Sequence, residues 1–510
     1  MTNQISERYR FRHPRAGGDP ADTRATGSVR RWVPAFAGMT KGVSISRSRT
    51  LTALLAATAL SACAVGPDHV APTPPASAEA PFVGVQSADV TTAAPDDTWW
   101  KLYNDPALNA LVTDALAANT DIRVAVARIE KARATLRGSR ADRLPSTDLS
   151  ATGTYGRVSE SQVLPGFDRE GRRVDGGLSV NYEVDLFGRV KRGIEASRAD
   201  LAAAQEDADA VRVTVVADTV RAYVDATSAN EQIDVAQRTV DLLARSERIT
   251  NARFERGLNQ KLDVIRVTQL REAQAAAIPT LQARRDAALF RIAVLTGRTP
   301  QDLPDSVIAR DTTPNVATPI PVGDGATLLA RRPDVKAAER RLAADTARIG
   351  VATADLYPRI TLGGSIGTTA VGATDVFGGG PLRWLLGPLI SWAFPNQEAI
   401  RARINESKAD AKADLATFDG TVLTALGETE TALSAYRNAL LRQERLAASR
   451  DAANRAANVS LARQSRGQID ALNVLDAQRT LASAEADSAA AKREVAFAQV
   501  DLFRALGGRW

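Results

Sequence analysis

Cysteine and histidine are almost absent. The 510 residues hold one cysteine, Cys63, and two histidines, His13 and His69. So few ligands and nucleophiles exclude a zinc cluster, a disulfide framework, a cysteine nucleophile and a Ser-His-Asp triad. Aromatic residues make up only 5%. No apolar run reaches the roughly 18 residues of a membrane-spanning helix, which rules out a polytopic helical membrane protein. There is no phosphate-binding loop and no nucleophile elbow. Gly363, Gly364, Gly367 and Gly378–Gly380 read as strand and loop glycines rather than a phosphate cradle. The chain reads as a non-enzyme without cofactor or metal.

The net charge of +6 would suit a nucleic-acid binder, but its distribution does not. Residues 1–62 carry ten Arg and Lys against three acids, leaving 55 basic and 56 acidic residues in the rest of the chain. The body is neutral.

The N-terminal charge belongs to an address. Lys41, Arg47 and Arg49 precede the apolar run Leu51–Leu60, and small residues lead to Leu60-Ser61-Ala62-Cys63. Ten apolar residues are too few to span a bilayer, so 39–62 reads as a signal peptide. LSAC resembles a bacterial lipobox, which makes Cys63 the acylated residue; the alternative is an ordinary buried thiol. Ala64, where an inner-membrane lipoprotein often carries Asp, favours the outer membrane. Residues 1–38 fit no element and read as a start assigned too early or a disordered extension. Residues 63–97, rich in Pro, Ala, Thr and Ser, read as a lipidated tether.

The remainder repeats itself. Asn119–Pro145 aligns without gaps on Arg332–Pro358 at a shift of 213. Arg256-Gly257 matches Arg466-Gly467 at 210, and Leu295–Arg298 matches Leu506–Arg509 at 211. A Pro-rich linker, 299–324, separates repeat 98–298 from repeat 325–510.

Each repeat predicts the same elements. Helices over Pro106–Arg143 and Ala326–Leu356 end at Pro145 and Pro358. Alternating stretches follow, most regular where Leu178, Val180, Tyr182 and Val184 interleave with Ser179, Asn181, Glu183 and Asp185. Such segments suit a transmembrane β-barrel, and equally a half-buried soluble hairpin. Arg189–Glu255 contains no proline, and its 67 residues predict a helix of roughly 100 Å. Ile194, Leu201, Ala208 and Val215, then Val235, Leu242 and Ile249, recur every seven residues and predict coiled-coil packing. Its counterpart is Gln397–Ser465. After each Arg-Gly pair a helix returns, over Lys261–Gly297 with a kink expected at Pro279, and over Asp470–Leu506. Four strands per chain cannot close a barrel, for which about eight is the minimum. Two or three copies are required if the strands enter lipid, and three suits a hollow tube.

With its lipobox, WWKLYNDPAL from Trp99, YEVDLFGR from Tyr182 and VLDAQR from Val474, the chain resembles the TolC superfamily. Within it the likeness is to the NodT/OprM-like outer-membrane lipoproteins of tripartite efflux systems, from Cys63 to Trp510. The resemblance implies a mostly α fold with a small membrane β-part. Three chains would form a coiled-coil α-barrel and a twelve-stranded transmembrane β-barrel. It further implies a periplasmic adaptor and an inner-membrane RND pump as partners, with outer-membrane location. Arg256, Gly257, Leu258, Arg466, Gly467 and Gln468 match the tips that meet the adaptor. Asp476 matches an aspartate of the periplasmic gate, with Asn473 where relatives can carry a second aspartate and Asp263 as the first-half counterpart. Ser179, Asn181, Glu183 and Asp185 would face the lumen. A duct for type I protein secretion and a lipid-tethered periplasmic scaffold are the other readings.

Overall fold

The computed structural model describes residues 64–85, 89–162, 166, 168–370, 380 and 382–508. Cys63 and the segments 1–38 and 39–62 lie outside them.

Two helices dominate: α3 (Arg189–Glu255) and α8 (Glu398–Ser465), of 67 and 68 residues. Without proline their interiors keep every backbone bond, and each is about 100 Å long. Shorter helices flank them end to end. In the first half these are α1 (Pro106–Ala118) and α2 (Thr120–Ala141) before α3, then α4 (Lys261–Ala275) and α5 (Ala277–Leu295) after it. The second half has α6 (Gly325–Arg331) and α7 (Pro333–Ala354) before α8, and α9 (Ala471–Leu506) after it. Nearest one end α2, α3, α7 and α8 lie side by side; nearest the other the order is α4/α5, α3, α9 and α8. The result is a strip four helices wide.

The helices break where local chemistry dictates. The predicted Pro106–Arg143 helix divides at Asn119, whose side chain accepts from the amides of Asp121 and Ile122 and donates to Leu295 O at 3.0 Å. An N-cap thus restarts the helix inside an unbroken apolar pattern. Ala326–Leu356 divides likewise at Arg332, ahead of Pro333. The break expected at Pro279 falls earlier, because a proline ring collides with the carbonyl four residues before it; α4 stops at Ala275.

The coiled-coil seam of α3 keeps the first predicted series, from Ile194 to Val215, and departs from the second. Ile194, Ala208, Val215, Ala222, Ala229, Leu243 and Thr250 are buried, with Leu201 and Ala236 half-buried, in one seven-residue series. Val235, Leu242 and Ile249 stand one position off it, and Ile249 is 58% exposed. Larger residues beside an alanine-rich seam drew the prediction away from it.

Four strands cap the strip: β1 (Ser146–Arg157), β2 (Glu170–Val184), β3 (Arg359–Ala370) and β4 (Leu382–Ser391). They form one antiparallel sheet in chain order, and among the described residues nothing pairs with the outer edges of β1 and β4. Register aligns the faces. Leu149, Leu178, Ile366 and Trp384 share one side, as do Val180, Gly364 and Leu386. Asp148, Ser179 and Ser365 share the other.

The largest core lies at mid-height, where Trp99 stacks on Phe503 at 4.6 Å among Leu108, Tyr223, Ile292 and Leu506. Described residues of the segments 63–97 and 299–324, expected as tether and linker, contribute to it. Ala78, Phe82 and Val90 are buried, as are Leu303, Val307, Val316, Ile320 and Val322. Val90 and Thr91 pair in parallel with Ile320 and Pro321. Higher up, Arg192 grips the N-terminal strap through Asp68 at 2.7 Å and the carbonyls of Val65 and Gly66. Gly66 has φ +93°, and a Cβ there would lie 2.4 Å from Gly350 Cα. Sparse apolar residues and charged clasps thus fix segments whose composition looks loose.

Candidate functional site: hairpin tips, mouth residues and strand face

Both hairpins turn in the same way. Gly257 N donates to Phe254 O and Leu258 N to Arg253 O, each at 2.8 Å. Gly467 N donates to Gln464 O at 2.9 Å and Gln468 N to Arg463 O at 3.0 Å. Each is a 5→2 plus 6→1 closure, which needs a left-handed residue after the helix. Gly257 and Gly467 supply it with φ +72° and +73°. Nothing crowds either glycine within 4 Å, so backbone conformation alone demands it. Arg256 and Arg466 close the two long helices, and Leu258, 64% exposed, projects from the first tip.

The return helices start on polar caps. Gln260 N donates to Asp263 at 3.2 Å in a capping box. Asp470 accepts from Asn473 N at 3.0 Å and from Asn473 Nδ2 at 2.6 Å. Asp263 and Asn473 therefore occupy the same third position of the two return helices, each committed to its own helix start. Asp476 lies one turn on, exposed, and pairs with Arg479 at 2.7 Å. By helical rise it stands about 9 Å from Asp470.

Above the tips, polar contacts that sequence reasoning missed join the helices. Gln478 donates to Ser246 at 2.6 Å, linking α9 to α3. Thr239 donates to Glu485 at 3.2 Å, also between α3 and α9. Glu247 receives Thr268 and Arg271 of the return helix. Gln478 is buried despite its amide, and a polar residue on a seam position was the available signal.

On the sheet, Ser179, Asn181 and Glu183 share one face by strand alternation. Glu183 takes a two-pronged contact from Arg189 at 2.8 and 2.6 Å. Asp185 corrects the sequence reading. It lies one residue beyond β2, and its carboxylate accepts from Val190 N and Lys191 N at 3.0 and 2.8 Å. It caps α3, where a negative group meets the positive end of the helix dipole. Cys63, the predicted lipidation site, lies outside the described residues. Among the described residues no helix is long and apolar enough to cross a membrane.

The profile of outer membrane efflux proteins matches residues 111–298 and again 326–508. Outer membrane protein OprJ of Pseudomonas aeruginosa is 33% identical over 467 residues, covering 90% of this chain and 96% of its own. Nodulation protein T of Rhizobium leguminosarum bv. viciae is 30% identical over 453 residues, covering 88% and 91%. Among solved structures, the outer-membrane channel OprN aligns with a TM-score of 0.81 at 37% identity, over 88% of this chain and all of that one. Two matched repeats, two long hairpins and a four-stranded sheet are thus parts of one known architecture, and the chain belongs to the outer membrane efflux protein family.

Proposed function

We propose that three copies of this chain close a duct that carries small molecules from an inner-membrane RND pump and its periplasmic adaptor across the outer membrane. The observation that carries this reading is the sheet. It has one continuous apolar face and two open edges, and in lipid each unpaired edge group would cost several kcal/mol. Joining β4 of one copy to β1 of the next removes every edge at twelve strands. Ser179, Asn181 and Glu183 then face the lumen. A continuous apolar face also counts against a soluble scaffold.

The helical strip has matching open sides, α2 and α5 on one and α8 on the other. The internal duplication supplies their register. Within the chain, Arg221 of α3 meets Asp501 of α9 at 2.5 Å. Shifted by 210 and 211 residues, that contact becomes Thr431 of α8 against Phe290 of α5 in the next copy. Phe290 is 53% exposed and Thr431 is exposed, which suits a seam filled by a neighbour.

The two tip turns present Arg256, Gly257, Leu258, Arg466, Gly467 and Gln468 to the adaptor. Asp476, Asn473 and Asp263 lie at the periplasmic mouth. With Arg479 beside it, the Asp476 ring consists of charge pairs, so opening exchanges exposed pairs worth about 0.2–1 kcal/mol each. Acylated Cys63 anchors the chain to the outer membrane. The duct performs no covalent chemistry.

A photo-cross-linker at Gln468 in the native host tests the reading. Capture of an adaptor that travels with an RND pump is the expected result. An adaptor with an ABC transporter would move the function to protein secretion. Capture of no periplasmic protein by trimers in the outer membrane would overturn the tip assignment.

A further inference from the structure

The apolar face of the sheet carries no charge over most of its height. From Val184, Ile360 and Ile390 at the helix end it passes Tyr182, Leu362, Val180, Leu178, Leu149 and Val174. Among the described residues charge appears on this face only at the β1–β2 turn, where Tyr155 pairs across with Arg172 and Arg157 with Glu170. These four lie on the apolar side, two-residue steps beyond Leu149 and Leu178. Twelve residues separate Val184 from Arg172. At about 3.3 Å each and a tilt near 40°, that is a rise of roughly 30 Å, the thickness of the hydrocarbon layer. The helices leave from the opposite end, so this rim is the extracellular one.

Among the described residues nothing engages the two arginine side chains there. Glu170 accepts the Tyr155 hydroxyl at 2.6 Å. Among the described residues neither Arg157 nor Arg172 has an ion-pair partner within 4.0 Å. Their neighbours do: Arg173, on the lumen side, pairs with Asp175 at 3.0 Å, and Arg169 with Glu160 at 3.3 Å. A charge facing lipid is costly at mid-depth and nearly free at the headgroups. A guanidinium at that level meets phosphate in a two-pronged geometry.

We propose that Arg157 and Arg172, beside Tyr155, form an outward-facing site for the phosphorylated headgroups of outer-leaflet lipid, repeated on each copy around the rim. The inference rests on the barrel reading above. Bound phosphate completes the guanidiniums that the protein leaves open, and it fixes the height of the barrel against the leaflet. On the lumen face, Arg173 is already satisfied and takes no part.

The test uses the full chain in nanodiscs of phosphatidylcholine with a minority of diphosphorylated glycolipid, read by native mass spectrometry. The wild type is expected to retain glycolipid about ten-fold more than the Arg157→Gln/Arg172→Gln variant, with Arg173→Gln unchanged. Equal retention by the double variant and the wild type overturns the site. Release of the glycolipid by millimolar inorganic phosphate overturns the lipid assignment and leaves a free-anion site. The same spectra give the mass of the assembly. Single chains instead of trimers would defeat the barrel reading itself, separately from the rim.

Discussion

Leu178 and Ser179 are adjacent, at nearly the same depth, and differ only in the face they occupy. Leu178 lies midway between Val184 and Arg172, on the side shared with Leu149 and Ile366. An arginine at the mid-depth of a lipid-facing strand costs about 2–4 kcal/mol, so Leu178→Arg costs a trimer about 6–12 kcal/mol. That is comparable to the whole stability of a domain, about 5–15 kcal/mol. Ser179→Arg points into water and costs little. Heat-modifiable migration of outer-membrane extracts reads the difference. The expected result is loss of the trimer band for Leu178→Arg and its retention for Ser179→Arg. Equal behaviour of the two variants would refute the assignment of faces, whatever the fate of either alone.

Four further outcomes follow from particular contacts. Trp99→Ala removes a ring stacked in the main core and should lower stability by about 3–5 kcal/mol, measured as a shift in the denaturant midpoint. Arg192→Ala strands the carbonyls of Val65 and Gly66 at a cost of roughly 1–3 kcal/mol, and limited proteolysis should then cut the strap first. The Asp414 carboxyl is pushed above its ordinary value by burial and by Asp345 beside it, so its protonated form is the one the fold favours. That contribution is present at acid pH and lost as pH rises through the folded value; Asp414→Asn should raise Tm at neutral pH and have less effect in acid. Asp476→Ala removes the mouth pair with Arg479 and should increase antibiotic leakage into cells making the protein. Unchanged leakage and unchanged single-channel conductance would remove Asp476 from the gate.

The long elements were legible because their signals are local. Absence of proline gave α3 and α8, Arg-Gly gave both tips, and strict alternation gave β2. The duplication then carried each assignment to the other half. The break at Pro279 was legible to within a turn, but the one at Asn119 was not, because Asn119 caps a helix inside an apolar pattern that runs through it. The strap and linker look loose by composition, yet they are fixed by residues as sparse as Ala78, Phe82 and Val316. Past Val215 the seam of α3 runs through Ala222, Ala229 and Ala236, too small to stand out beside Ile249. For the candidate site, the motifs that carry the family resemblance pointed to Asp263, Asn473 and Asp476. They did not show that Asp263 caps its own helix, that Asn473 donates to the cap Asp470, or that Asp476 has an arginine partner. Asp185 fitted a strand pattern by parity, but its carboxylate serves the first turn of the next helix.

The central claim is that three copies close on one another in the register set by the internal repeat. Phe290→Cys and Thr431→Cys in one chain, treated in outer membranes with a short bismaleimide, test it most directly. Each substitution alone serves as the control. The account predicts cross-linked species of two and three chains and none larger. Single chains only, or a ladder that continues past three, would contradict it.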